Sequence, residues 1–213
     1  MLRKIKASIR AKLEPIARKH YVKTRYGKVK NANFSIFSQG CWGGVLTQDL
    51  GMPYTSPTCN LFFTASDFIK FCETPQHYLN WDMTECDKKA EDIHVNYPVG
   101  KLDDINLHFM HYHTFEESKE KWNRRIARIN FDNLFLVMTD RDGGTEEILA
   151  RFAKLPYPKV YFSHLPHPEY DFVCYIPGFE KHEQIGDVTQ IINLKGERLT
   201  DPYFDPIKFL NRE

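Results

Sequence analysis

The sequence predicts an α/β protein whose largely parallel sheet is covered by helices on both faces, preceded by a basic amphipathic helix. Two observations predict the sheet. Apolar runs of strand length alternate along the chain with segments of helical period, and the strongest run, Leu134–Thr139, is continuous, as in a strand buried on both faces. A third observation, the charge difference between the first 31 residues and the remainder, predicts the separate helix.

Residues 1–31 carry eleven Lys and Arg side chains and one acid, a formal charge of +10, whereas the other 182 residues carry a formal charge of −9. Apolar side chains in this segment follow steps of three and four residues and would form one stripe on a helix. They are Leu2, Ile5, Ile9, Leu13 and Ile16. Such a helix can lie on an anionic membrane surface or dock on the protein itself. The predicted domains are a basic arm, 1–31, and a single α/β domain, 32–213.

The elements of this domain follow in order. Strands are predicted at 34–37, 58–63, 105–110, 134–139 and 159–163, with a further candidate at 170–176. Helices are predicted at 42–50, 66–71, 114–130 and 145–155, and after Asp205-Pro206. Ser66 is the expected cap of the second helix. Thr114, with Glu117 three residues later, forms a capping box that predicts the start of the third.

Composition limits the class of protein. No apolar run approaches the roughly 20 residues of a membrane span, and no secretory signal is recognisable, so we expect a cytoplasmic protein, peripheral at most at the inner face of the cytoplasmic membrane. The five cysteines include no C-x-x-C pair, which favours reduced thiols over a disulfide frame or zinc finger. No nucleic-acid-reading motif accompanies the basic arm, so nucleic acid is not an expected partner.

The segment TDRDGGT follows the strongest predicted strand. Asp140 and Asp142, at positions i and i+2, can hold a hard divalent cation such as Mg²⁺ or Mn²⁺, which would bind a diphosphate. This Asp-x-Asp pattern resembles that of many sugar-nucleotide glycosyltransferases. The alternative is ordinary turn chemistry, in which Asp and Gly are also frequent.

The segment SQGCWGG follows the first predicted strand and raises two alternatives for Cys41. A nucleophile at a strand-to-helix turn requires small residues two positions before and two positions after it, and of the two residues concerned only Gly43 is small. As an anion-binding turn, Gly40, Gly43 and Gly44 would supply backbone N–H groups at a helix start. The glycines favour the anion-binding turn. Ser56 is a second candidate nucleophile.

The predicted helix 114–130 and the residues before it contain the remaining candidates. Arg124 and Arg128 are four residues apart and share a helix face, which allows a paired grip on phosphate oxygens, with Arg125 between them. Their alternative role is a solvated helix flank. His111, in HFMHYHT, is the candidate general base.

Three phrases together resemble a known family: FSIFSQGCWGGVLTQDLGMPYTSPTCNLFF, YPVGKLDDINLHFMHYHTFEESKEKWNRRIARIN and NLFLVMTDRD. The family is bacterial and of unknown function, and its members are commonly labelled exopolysaccharide (capsule) biosynthesis proteins. The resemblance covers about 33–163 and implies a three-layer α/β fold with a mixed sheet; the arm before Asn31 is expected to lie outside the shared pattern. The matching positions are Cys41, Gly43, Gly44, Ser56, Pro57, His111, Tyr112, Trp122, Arg125, Arg128 and Asn130.

The resemblance implies a role in making surface glycans, and three hypotheses follow. The first is a glycosyltransferase-like enzyme that uses a sugar nucleotide or a lipid-linked diphosphate sugar, with Arg125 and Arg128 on phosphate and His111 as base. The second is a hydrolase or acyltransferase acting on glycans through Cys41 or Ser56 with His111. The third is a non-enzymatic partner in a glycan-assembly complex.

Overall fold

The computed structural model describes residues 2–213, except for the side chains of residues 2–9 and 11. The helices are α1 (Leu2–Arg25), α2 (Trp42–Asp49), α3 (Ala65–Glu73), α4 (Pro75–Leu79), α5 (Phe115–Ile126), α6 (Glu146–Ala153) and α7 (Pro206–Asn211). The strands are β1 (Ser35–Ser38), β2 (Thr84–Glu85), β3 (Val99–Leu102), β4 (Ile105–His108), β5 (Leu134–Thr139), β6 (Lys159–Ser163) and β7 (Val173–Tyr175). A single 3₁₀ turn, Phe131–Asn133, leads into β5.

The main sheet has the strand order β1-β5-β6-β7, and each neighbouring pair is parallel. Along β5 the side chains alternate between two cores, as the two-residue period of a strand requires. Leu134, Leu136 and Met138 pack with α3, α5 and α6 on one face, whereas Phe135 and Val137 pack with α2 and α7 on the other. The prediction of a largely parallel sheet between helical layers, with an N-terminal helix, is therefore confirmed.

A second, antiparallel sheet has the order β2-β3-β4 and packs in the first of these cores. The predicted strand 105–110 belongs to this sheet as β4 and not to the parallel one. The predicted strand 58–63 is wrong, because Asn60 adopts φ 65 and interrupts any extended run there. A single bridge between Phe62 and His108 is what remains of it.

Side chains cap the N-termini of α3, α5, α6 and α7, and one predicted cap residue is wrong. Thr64, not Ser66, caps α3, and its hydroxyl accepts a hydrogen bond from the backbone N–H of Asp67 at 3.1 Å. At α5 the predicted cap is confirmed, since the Thr114 hydroxyl accepts from the backbone N–H of Glu117 at 3.2 Å. The side chains of Thr145 and Asp205 cap α6 and α7 in the same way.

The C-terminal part of α1 is anchored to the α/β domain. Arg18 is buried and forms ion pairs with Asp49 of α2, at 2.8 Å, and with Asp201. Its Nη1 also donates to the backbone oxygen of Gly196 at 3.0 Å. The second half of the basic segment thus belongs to the packed fold.

The predicted apolar stripe of α1 is described for its last two members, Leu13 and Ile16, and both are exposed. The side chains of Leu2, Ile5 and Ile9 lie outside the described residues. None of the described helices is both long enough and apolar enough to cross a membrane.

Candidate functional site

A cleft of about 550 Å³ opens where β1 and β5 end. Parallel strands direct their carboxyl ends to one edge of a sheet, which is where open α/β sheets bind ligands. The turn that follows β1 lines it, as do the aromatic residues Phe62 and Tyr97. Loop residues Asp187–Thr189 complete the lining.

Cys41 and His111 meet in this cleft, with the Cys41 Sγ 3.3 Å from the His111 Nε2. Cys41 is the N-cap residue of α2, and His111 lies in the turn after β4. The pair therefore joins residues 70 positions apart in sequence and connects the parallel sheet to the antiparallel one. Sequence reasoning named both residues, and the structure brings them into contact.

The Cys41 thiol is held in its neutral form. Burial, with a smaller contribution from the Asp187 carboxylate, raises the pKa of Cys41 to about 11. At neutral pH the thiol keeps its proton and can donate it to an unprotonated His111 Nε2. A reaction at this sulfur therefore needs His111 as a base at the moment of attack.

The backbone around Cys41 offers hydrogen-bond donors to a ligand. Within the described chain, the N–H groups of Gly40, Cys41 and Trp42 donate to no protein acceptor. Unpaired donors of this kind are expected at the N-cap and in the first turn of a helix, and Gly40 directly precedes the N-cap of α2. A Cβ added to Gly40 would meet no atom within 4 Å, so open space adjoins this turn. The turn can therefore receive an anion or a developing oxyanion.

Of the other two glycines of SQGCWGG, Gly43 has a packing role. A Cβ on Gly43 would lie 2.9 Å from the Ile36 Cγ2, and the Gly43 N–H already donates to the Ser38 hydroxyl at 3.3 Å. Gly44 lies against Cys59, 3.5 Å from an added Cβ. Gly43 therefore lets α2 approach β1 closely, whereas an added Cβ at Gly44 would make an ordinary contact, and neither glycine lines the cleft.

Arg125 lies outside the lining of the cleft. Its Nη1 donates to the backbone oxygen of Cys59 at 3.0 Å and to the Tyr112 hydroxyl at 2.8 Å, and its guanidinium lies 5.1 Å from the Tyr54 ring centre. It thus connects α5 to the loop between α2 and α3, which contains Tyr54 and Cys59. The structure does not bring Arg125 to the side of Gly40 and His111.

The neighbouring arginines are also absent from the cleft lining. Arg124 pairs with Glu120 on the surface at 3.2 Å, and Arg128 donates to the backbone oxygen of Tyr54 at 3.4 Å. Ser56 is buried outside the cleft, with its hydroxyl 3.0 Å from that of Thr58. Phosphate binding by these arginines and catalysis by Ser56 stay predictions without support from the cleft geometry.

The two aspartates of TDRDGGT have separate surroundings. Both carboxylate oxygens of Asp140 accept protein hydrogen bonds, from the backbone N–H of Ile185 at 2.9 Å and from the backbone N–H of His164 at 2.7 Å. Its second oxygen also lies 2.5 Å from the His164 Nδ1. Asp142 instead lines the cleft, and burial raises its pKa.

The second glycine of this segment has a structural explanation. A Cβ on Gly144 would lie 2.5 Å from the backbone oxygen of Asp140, so the chain can fold back there only without a side chain. A Mg²⁺ or Mn²⁺ site at Asp140 and Asp142 stays a prediction, and the fit is poor because Asp140 is already satisfied. A separate group of acid and histidine side chains, Glu146, His167 and Glu169, has ligand atoms within 4.8 Å of one another.

Sequence reasoning missed two residues that shape the cleft. Arg141 lines it and donates to the backbone oxygen of Ile185 at 3.0 Å. Gln39 joins the ends of β1 and β5, since its Nε2 donates to the backbone oxygen of Arg141 at 2.9 Å and its Oε1 accepts from the backbone N–H of Thr139 at 2.9 Å. The signal for both was their position within two residues of the end of a strand of the parallel sheet.

Comparison with known proteins gives the family and no activity. A protein of Haemophilus influenzae, described as an uncharacterized protein, is 38% identical over 190 residues, which is 89% of each chain. The family model "Domain of unknown function (DUF1919)" matches residues 12–211. The match starts inside the basic arm, so the expectation that the whole arm lies outside the family pattern is wrong for residues 12–31. The chain belongs to the DUF1919 domain family.

Proposed function

We propose that the protein is a cysteine-dependent acyltransferase or hydrolase that acts on glycans, with Cys41 as nucleophile and His111 as its base. The observation that carries this proposal is the 3.3 Å contact between the Cys41 Sγ and the His111 Nε2 at the edge of an accessible cleft. A nucleophile, an adjacent base and nearby backbone donors are the three parts that acyl transfer requires.

The reaction proceeds in two steps. The Cys41 sulfur attacks the carbonyl carbon of an ester while the His111 Nε2 takes the thiol proton, and the N–H groups of Gly40 and Cys41 stabilise the oxyanion. The tetrahedral intermediate collapses to a thioester at Cys41, and His111 returns the proton to the departing alcohol. A hydroxyl group of the acceptor, or water, then attacks the thioester with His111 again as base, which releases the product and restores the thiol.

Two features support a saccharide derivative as substrate. The rings of Phe62 and Tyr97 give the cleft an apolar wall on which an acyl chain or the face of a sugar ring can pack. The resemblance of the sequence to proteins labelled for exopolysaccharide biosynthesis supports a sugar hydroxyl as the acyl acceptor.

The proposal is tested by acetylating the full chain with p-nitrophenyl acetate and mapping the acetylated cysteine by mass spectrometry. We expect a thioester at Cys41, and a reduction of its rate of formation by about 10²–10⁴-fold in His111→Gln, since that is the usual contribution of a general base. Cys174 is the matched internal control, because burial raises its pKa to about 11 as well, while its Sγ contacts the backbone oxygen of Tyr203 at 3.6 Å. Equal rates at Cys41 and Cys174 would contradict the proposal.

A second candidate is the glycosyltransferase-like enzyme that uses a sugar nucleotide or a lipid-linked diphosphate sugar. The observation that favours it is that Arg141 lines the same cleft as Gly40 and Cys41, whose N–H groups are unpaired, since an arginine and backbone donors together suit a diphosphate. A panel of sugar nucleotides, with and without Mn²⁺ or Mg²⁺, separates the two candidates. A thermal shift that Arg141→Gln abolishes favours the glycosyltransferase. The absence of both acylation and a thermal shift favours a non-enzymatic partner.

A further inference from the structure

A second concave surface, on the α1 side of the molecule, exposes apolar side chains. We call it the apolar groove; it has a volume of about 760 Å³ and lies between α1 and the loop that contains Leu194. Leu13 is 48% exposed, Ile16 68% and Leu194 77%. Single exposed apolar side chains are normal on proteins, whereas several around one depression mark an interaction site.

The two walls of this groove are held in a fixed relation. A Cβ on Gly196 would lie 2.5 Å from the carbonyl carbon of Ala17, so the loop touches the backbone of α1 directly. Arg18 of α1 holds the loop at the same position by donating a hydrogen bond to the backbone oxygen of Gly196 at 3.0 Å. Leu194 is therefore presented beside Ile16 by the folded protein, without any rearrangement.

Three lysines of α1 lie beside the groove, outside its lining. Lys12, Lys19 and Lys23 are separated by steps of seven and four residues, which places them in one row along α1, next to the face that carries Ile16. All three are exposed, and none has an acidic partner among the described residues. Lys195 adds a further exposed charge beside Leu194. Lysines with free ammonium groups next to exposed aliphatic side chains are the arrangement of an interfacial helix.

We infer that the apolar groove is a docking surface for an anionic lipid membrane. The apolar side chains of α1 and Leu194 would enter the acyl boundary together, while the lysine row would contact the lipid phosphates. Charge complementarity supports an anionic membrane as this occupant, because the lysine row is part of the basic segment 1–31, which carries a formal charge of +10. The membrane-facing surface is thus formed by α1 together with the loop that contains Leu194, and it includes no residue that lines the Cys41 cleft.

Vesicle flotation of the full chain tests this inference. Vesicles that contain phosphatidylglycerol should bind the protein and release it at high salt, and vesicles of pure phosphatidylcholine should not. Leu194→Asp should weaken partitioning by at least tenfold, because a carboxylate cannot enter the acyl boundary. Replacing Lys12, Lys19 and Lys23 together by alanine should weaken it by about 100-fold, given the usual effect of a basic residue near an anionic surface.

Leu165→Asp is the matched control, since Leu165 is also exposed but does not line the groove. It should bind vesicles as the wild type does. Circular dichroism and thermal unfolding of each variant check that the fold is kept. Equal binding by wild type and Leu194→Asp, or a dimer that Leu194→Asp dissociates while no vesicles are bound, would overturn the inference. If Cys41→Ala loses acylation but binds vesicles as the wild type does, the inference is supported, because membrane docking does not depend on Cys41.

Discussion

Replacing Arg18 by methionine is expected to destabilise the protein strongly, although Arg18 lies in the basic segment that the sequence assigns to a separate arm. The side chains of Arg18, Asp49 and Asp201 are 6%, 9% and 4% exposed. Methionine keeps most of the aliphatic volume but removes the guanidinium, so both carboxylates lose their ion pair with it.

The magnitude follows from what is left behind. Breaking a buried ion pair by removing one partner costs about 3–5 kcal/mol. The lower end applies, because the Arg198 Nη2 still lies 3.3 Å from an Asp49 oxygen. For a chain of this size 1 kcal/mol corresponds to about 2–4 °C in Tm, so the variant should melt about 6–12 °C below the wild type. Adding Asp201→Asn should recover part of this loss, because an amide leaves no buried charge.

Urea unfolding followed by tryptophan fluorescence measures these free energies, with Arg10→Met as the control. Arg10 is an exposed arginine of the same helix, 2.6 Å from Glu14, and a pair of this kind contributes less than about 1 kcal/mol. If Arg18→Met is as stable as Arg10→Met, the reasoning is refuted, and the second half of α1 is not anchored by these contacts.

Three further predictions concern the cleft and its supports. Gly43→Ala should destabilise the protein by about 1–3 kcal/mol through overpacking, because an added Cβ at this position meets Ile36. Gly40→Ala should be as stable as the wild type, because an added Cβ there meets no atom. Equal Tm values of the two variants would contradict this prediction. Alkylation of Cys41 by iodoacetamide should accelerate by about tenfold per pH unit up to its pKa of about 11, and a plateau near neutral pH would show a stable thiolate. Burial lowers the pKa of His108, so the unfolded chain binds more protons and stability should fall as the pH drops from about 7.5 to about 5. Urea unfolding of His108→Phe should show a smaller fall than wild type over that range, and an identical fall would argue against the contribution of His108.

Much of the main sheet could be predicted because its determinants are local. A continuous apolar run predicted β5 at Leu134–Thr139 and a shorter one β6 at Lys159–Ser163, with the bounds the structure has. Thr114 was recognised as a cap because capping involves a side chain and a backbone group three residues apart. Such signals need no knowledge of the distant chain.

The wrong predictions concerned pairing and local backbone conformation. The segment 58–63 has the composition of a strand, but Asn60 takes a left-handed conformation and the neighbouring hydroxyl of Thr58 accepts the backbone N–H of Ser38 at 3.0 Å. The segment 105–110 was assigned correctly as a strand, yet its partner is β3 in a separate sheet. Strand partners depend on contacts between distant segments, which a local pattern does not specify.

For the candidate site, the sequence by itself determined the chemistry available: a cysteine at a helix start, a histidine after a strand, and a charged turn after β5. Tertiary structure alone decided which of these groups meet. It brings His111 into contact with Cys41. It also holds Arg125 against the backbone of Cys59, and Asp140 against His164. The physical reason is that residue type fixes what a side chain can do, whereas the packing of α2, α5 and the two sheets fixes which side chains share a cleft.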